Sequence, residues 1–232
     1  MKTFWHSLAS IALCSLLFAC PGGGSSSSPT LTGKISNYGL TSAGVLKVYA
    51  VTNPRVDLSV SPLSYVALTA GATVIADGTV SATGDFSLQL PSDTTMTLYG
   101  KPRVLPSQQS GCTVSSTGSE TANVAQIVVK VENNGVSLGF LTQQSPGADN
   151  INASVPGTYY DIWHYWTNTG FGMSKTCTNV FDGSLNFTAG WNNISARTTV
   201  SVNDILIFDA LKTGASPGTL EWILKTSTVN GF

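Results

Sequence analysis

Apolar and polar residues alternate through much of this chain. In Asp85-Phe86-Ser87-Leu88-Gln89-Leu90, the residues Phe86, Leu88 and Leu90 fall on one face and Asp85, Ser87 and Gln89 on the other. That period of two marks a half-buried strand. Short β-branched or alternating runs at 31–36, 44–51, 65–70, 73–76, 96–99, 124–132, 136–142, 159–166, 185–188, 196–202 and 220–225 read as further strands, divided by Gly, Pro, Asn or Ser. Between two of them, Asn133-Asn134-Gly135 predicts a tight hairpin, because an Asn-Gly pair tolerates the left-handed backbone such a turn needs. The segment 202–211 reads either as a strand or as a short helix capped at Asn203-Asp204. No stretch after the N-terminus holds a helical period. The pattern therefore predicts an all-β fold of one or two antiparallel β-sandwich domains.

The first residues follow a different pattern. Lys2 precedes a mostly apolar run over 8–18 that ends in Leu17-Phe18-Ala19-Cys20, the layout of a removable secretory signal over 1–19. The run is about eleven residues long, whereas a spanning helix needs roughly twenty. Leu17-Phe18-Ala19-Cys20 resembles the bacterial lipobox, in which the cysteine is lipidated and becomes the first residue of the mature chain. The resemblance implies firm attachment to a membrane through several acyl chains on Cys20, since one chain alone binds only marginally. Residues 20–30, with Pro21-Gly22-Gly23-Gly24 and Ser25 to Ser28, have the composition of a flexible tether. Position 21 is Pro and not Asp. In such lipoproteins an Asp there retains the protein in the inner membrane, so the resemblance implies the outer membrane or cell surface of a bacterial envelope.

The folded part divides by composition into a small β-sandwich over 31–100, a polar linker over 101–123 and a second β domain over 124–232. The linker boundary rests on its richness in Ser, Pro and Gly, since long structureless stretches are uncommon inside a compact domain. Two cysteines, Cys112 and Cys177, remain outside the signal and the lipobox. In an oxidising compartment they are expected to form one disulfide, with a nucleophilic thiol or a metal ligand as the alternatives. Closing a loop of this span is worth roughly 4 kcal/mol in the chain-entropy model. The net charge of the whole chain is −1, and losing Lys2 with the signal leaves ten basic against twelve acidic residues. No basic field for nucleic acid follows from that balance.

Two resemblances concern the folded part. Gly33-Lys34-Ile35, Val45 to Ala50, and Gly78 to Pro91 are similar to the transthyretin-like or carboxypeptidase-regulatory-like β-sandwich. This implies a small antiparallel module with a stalk or interaction role and no catalytic residues. Further on, Cys177, Phe181-Asp182-Gly183-Ser184-Leu185-Asn186-Phe187 and Gly190-Trp191-Asn192 resemble a pattern found in bacterial envelope lipoproteins. Physically, Gly190 and Asn192 suit a chain reversal, with Trp191 expected to cover the open end of a sandwich.

The densest aromatic stretch is Tyr159-Tyr160-Asp161-Ile162-Trp163-His164-Tyr165-Trp166. As a strand it sets Tyr159, Asp161, Trp163 and Tyr165 on one face and Tyr160, Ile162, His164 and Trp166 on the other. The first set is a candidate binding face for a sugar or peptide. The alternative is a core strand, given the strand preference of aromatics. His164 is the only histidine beyond His6, which excludes a His-rich zinc site within one mature chain. No nucleophile elbow, phosphate loop or calcium loop is present, and no cofactor is implied. The leading expectation is a non-catalytic envelope lipoprotein with a structural or interaction role and an unknown protein or glycan partner. Behind it stand a carbohydrate- or peptide-binding protein and a hydrolase using Asp161 and His164.

Overall fold

The computed structural model describes residues 28–51, 69–105, 110–147, 156–177, 181–200, 207–214 and 218–225. The signal, Cys20 and most of the tether lie outside them. The described chain runs β1 (Thr30–Lys34), β2 (Gly44–Ala50), β3 (Thr73–Val80), β4 (Asp85–Gln89), α1 (Asp93–Tyr99), β5 (Lys101–Pro102), β6 (Cys112–Gly118) and β7 (Asn123–Asn133). It continues through β8 (Val136–Gln144), β9 (Gly157–Thr167), β10 (Phe171–Cys177), β11 (Phe181–Phe187), β12 (Gly190–Val200), β13 (Ile207–Thr213) and β14 (Glu221–Lys225).

The strands join in the order β1-β4-β3-β2-β7-β8-β9-β12-β13-β11-β10-β6, with β14 on β8 and β5 on β7. These pairings are antiparallel apart from β11 with β13. The start of the path meets β14. Ser36 N–H donates to Trp222 O at 2.8 Å. The Asn37 side chain donates from Nδ2 to Leu224 O at 2.9 Å and accepts from Leu224 N–H at 2.7 Å. An asparagine amide here takes the place of a strand residue. The sheet thus wraps in half-barrel fashion around a first core of Leu46, Val48, Phe86, Leu88, Val129, Leu141 and Trp166, among others. A second core, with Val124, Tyr165, Phe171, Leu185, Phe187 and Ile194, lies under β9 to β12.

β7 joins the two regions. Its sequence NVAQIVVKVEN is nearly continuous in apolar residues and buried on both faces over most of its length, as expected of a strand covered on both sides. It pairs with β2 along one edge and with β8 and then β9 along the other. Its Ala125, Ile127, Val129 and Val131 enter the first core and Val124 the second. The hairpin to β8 has the expected two-residue loop. Asn134 (φ 48°) and Gly135 (φ 79°) are both left-handed, matching the twist of the flanking strands.

Two expectations change. Residues 96–99 were expected as a strand because of their β-branched and aromatic content, but they belong to α1. Ser92 caps the helix by accepting from Thr95 N–H at 3.2 Å, Asp93 sits in the first turn, and Met96 is the one buried residue of the helix. A single side chain entering the first core outweighs the weak helix preference of the threonines. Residues 101–123, expected as a polar linker, hold β5 and β6. β6 reads as linker because its CTVSSTG sequence is mostly exposed, yet a strand on the rim of a sheet needs no apolar face of its own. The strand expected at 65–70 lies, apart from Thr69 and Ala70, outside the described residues.

Cys112 and Cys177 form the expected disulfide. They stand directly opposite each other in the β6–β10 pair.

Candidate functional site

β9 carries every residue of the candidate binding face, and its position explains their surroundings. It lies between β12 on one edge and β7 and β8 on the other, and its two faces meet different cores, Trp166 entering the first and Tyr165 the second. On the face of interest, Tyr165 is fully buried in the second core, edge-on to Phe187 at 6.1 Å between ring centres. Trp163 is half-buried and packs against the same core. Tyr159 and Asp161 are half-buried, and Asp161 Oδ1 pairs with Lys225 Nζ at 3.1 Å. Of the four residues, Tyr165 is therefore closed to any ligand, and the remaining exposure is divided among Tyr159, Asp161 and Trp163.

The opposite face is more completely covered. Ile162, His164 and Trp166 are buried. Trp166 reaches the first core and donates from Nε1 to Asp93 Oδ1 of α1 at 2.8 Å. The His164 ring stacks on Trp222 with centres 6.0 Å apart. Its Nδ1 is 2.8 Å from Asn193 Oδ1. An amide oxygen only accepts, so Nδ1 bears the proton, and Nε2 is left as a buried lone pair without a partner. Burial pushes the His164 pKa down, with the Asn193 hydrogen bond opposing the shift.

Asp161 and His164 do not form a catalytic pair. They project from opposite faces of β9, one toward Lys225 and the other toward Asn193. Among the described residues no group of three or more His, Cys, Asp or Glu side chains is arranged to hold a metal ion. No helix there is long and apolar enough to cross a membrane. No family model, curated protein or solved structure matches the chain. What stands of the resemblance over residues 33–91 is the antiparallel pairing of β1, β4, β3 and β2.

Gly190-Trp191-Asn192, expected as a turn, instead opens β12 opposite Thr167, Trp166 and Tyr165 of β9, and the chain bends just before it. Gly190 has a φ of 94°. The Asn192 side chain ties the bend by accepting from Thr188 N–H at 3.0 Å and donating to Thr188 O at 2.8 Å and Gly190 O at 2.9 Å. Trp191 packs half-buried against the first core and donates from Nε1 to Pro91 O at 3.1 Å.

Sequence reasoning did not single out Trp222 or Arg103. Trp222 lies edge-on to Phe86 at 5.2 Å and passes so close to β1 that a Cβ on Gly33 would fall 2.6 Å from its ring. Gly33 is a glycine for that reason, which the sequence could have shown only as an unexplained glycine inside a strand. Arg103 is buried with its guanidinium 5.0 Å above the Phe171 ring. At the β2–β7 pair, Glu132 accepts from Lys47 (2.6 Å) and Lys130 (2.9 Å), Lys47 being the stronger influence, and its carboxyl is held below the usual range.

The buried imidazole gives a pH dependence. Unfolded chain takes up a proton near the ordinary value of 6.5, while the folded His164 resists it. Stability is therefore full above that value and falls as the pH drops through it, by at most about 1.4 kcal/mol per pH unit. The unfolding midpoint is expected to decline as the pH falls below about 6.5, where His164 is the only histidine after the expected signal, which carries His6. His164→Gln should flatten that decline, and an equal decline in the variant would mean that His164 is not the group responsible.

Proposed function

We propose that this chain is a lipid-anchored extracytoplasmic protein of the bacterial envelope, held by acyl chains on Cys20, whose β fold acts through structural or interaction contacts without catalysis. The observation that carries the reading is Leu17-Phe18-Ala19-Cys20 at the end of a short apolar run. The Cys112–Cys177 disulfide supports it, because such bridges form and persist in oxidising compartments. So does the order along the chain, in which β1 begins at Thr30 directly after the Gly/Ser-rich stretch. The non-catalytic part is favoured by the separation of Asp161 from His164 and by the packing of β9 on both faces. The partner is a protein or glycan met elsewhere on the surface, and the absence of a basic field speaks against nucleic acid.

Replacing Cys20 by Ala tests the anchor. The protein is expected to move from the detergent phase of a membrane extract into a soluble or unprocessed form. Unchanged partitioning would overturn the reading.

A further inference from the structure

Six large apolar side chains are exposed among the described residues, and three of them, Leu98 (77 %), Val104 (57 %) and Leu105 (50 %), fall within one short stretch of chain. α1 turns Met96 into the first core and leaves Leu98 outward. The chain then passes through exposed Lys101 and Pro102 along β7 before reaching Val104 and Leu105. Exposed apolar residues grouped in this way mark a contact surface more often than scattered ones do.

Strand directions show where this stretch lies. Leu90 N–H donates to Pro29 O at 2.9 Å, just before β1, and Ser92 two residues later caps α1. The helix ends at Gly100, whose Cα carries no side chain against Asn123 and Trp166. The entry of the chain into the fold, α1, and the first residue of β7 therefore share one end of the half-barrel. The Asn134-Gly135 turn, with exposed Val136, is at the other end of β7, about 33 Å away for an eleven-residue strand. From Cys20 to Ser28 the chain can span at most about 28 Å when fully extended. A lipid on Cys20 thus holds the α1 end near the bilayer, and the stretch is too short to run the length of β7 and bring the turn there.

We propose that Leu98, Val104 and Leu105 dock into the interfacial layer of the bilayer that holds the acyl chains of Cys20, with Lys101 against anionic headgroups. This rests on the lipid-anchor reading. Apolar side chains at the headgroup boundary gain from leaving water, and a nearby lysine adds attraction to acidic lipid. The docked face fixes the orientation of the molecule and presents the Asn134-Gly135 end away from the membrane.

The test uses mature full-length protein, isolated from membranes and reconstituted into vesicles of phosphatidylethanolamine and phosphatidylglycerol. Leu98→Cys and, separately, Val136→Cys are labelled with an environment-sensitive fluorophore, and nitroxide-bearing phospholipid serves as quencher. Vesicle flotation and the mass of the N-terminal peptide report the anchor independently. Loss of fluorescence at 98 but not at 136 is the expected result. Protein that floats and carries the acyl mass but shows no quenching at 98, or equal quenching at both positions, overturns the docked face and leaves the anchor standing. Protein that neither floats nor carries the acyl mass overturns the anchor reading, and the docked face with it. An emission shift at 98 that grows with protein concentration in detergent, without quenching in vesicles, assigns the face to a second copy of the chain and overturns the membrane contact.

Discussion

Trp166→Ala is expected to lower stability by about 3–5 kcal/mol, a large part of the roughly 5–15 kcal/mol of a typical domain. The indole is 2 % exposed in the first core, where it packs with Ala125 and Met96, and its N–H is bonded to Asp93 in the first turn of α1. Truncation leaves a void under the helix and removes that bond at the same time. Trp166→Phe keeps most of the ring and should cost much less, losing the hydrogen bond, worth about 1 kcal/mol, and part of the packing. Trp191→Ala should fall between the two, because that ring is half-buried and its N–H bonds to a backbone carbonyl. Urea midpoints of the three variants provide the check. A larger loss for Trp191→Ala than for Trp166→Ala would contradict the placement of these side chains.

Removing the disulfide by Cys112→Ala with Cys177→Ala should cost roughly 2–4 kcal/mol. The bridge closes a loop of 65 residues, and its loss enlarges the conformational freedom of the unfolded chain. The effect should also be local. β6 pairs with β10 alone among the described strands, so the double variant should exchange the amides of β6 faster while those of β7 and β9, held between strands on both edges, stay protected. Hydrogen exchange with and without the bridge would show this. Uniform acceleration through β7 and β9 would mean that the bridge supports the whole sheet and not its rim.

Much of the β architecture was legible because alternation is a local signal. β4, the β7–β8 hairpin with its Asn134-Gly135 turn, β9 and β14 lie within a few residues of where the pattern puts them. The turn was readable since its backbone demands particular residues. The cysteine pairing was readable by elimination once Cys14 and Cys20 were set aside with the signal and the lipobox. Local signals failed where a residue's role depends on something distant in sequence. Asp93–Tyr99 is helical because Met96 enters a core built from other strands, and β6 is a strand because β10 offers it a partner.

The candidate site divides in the same way. The sequence by itself determined that Tyr159, Asp161, Trp163 and Tyr165 share one face of a strand, since side chains alternate with period two. It therefore also determined that Asp161 and His164 point apart. Whether that face meets solvent was decided only by tertiary structure: β9 is an inner strand with a core on each side, which buries Tyr165 and His164 and leaves Trp163 half-covered. Burial depends on which strands pair, and pairing over such separations is set by the competition of all strands for partners, which no single stretch of sequence records. The closing of the sheet by Asn37 on Leu224, 187 residues apart, is of that kind.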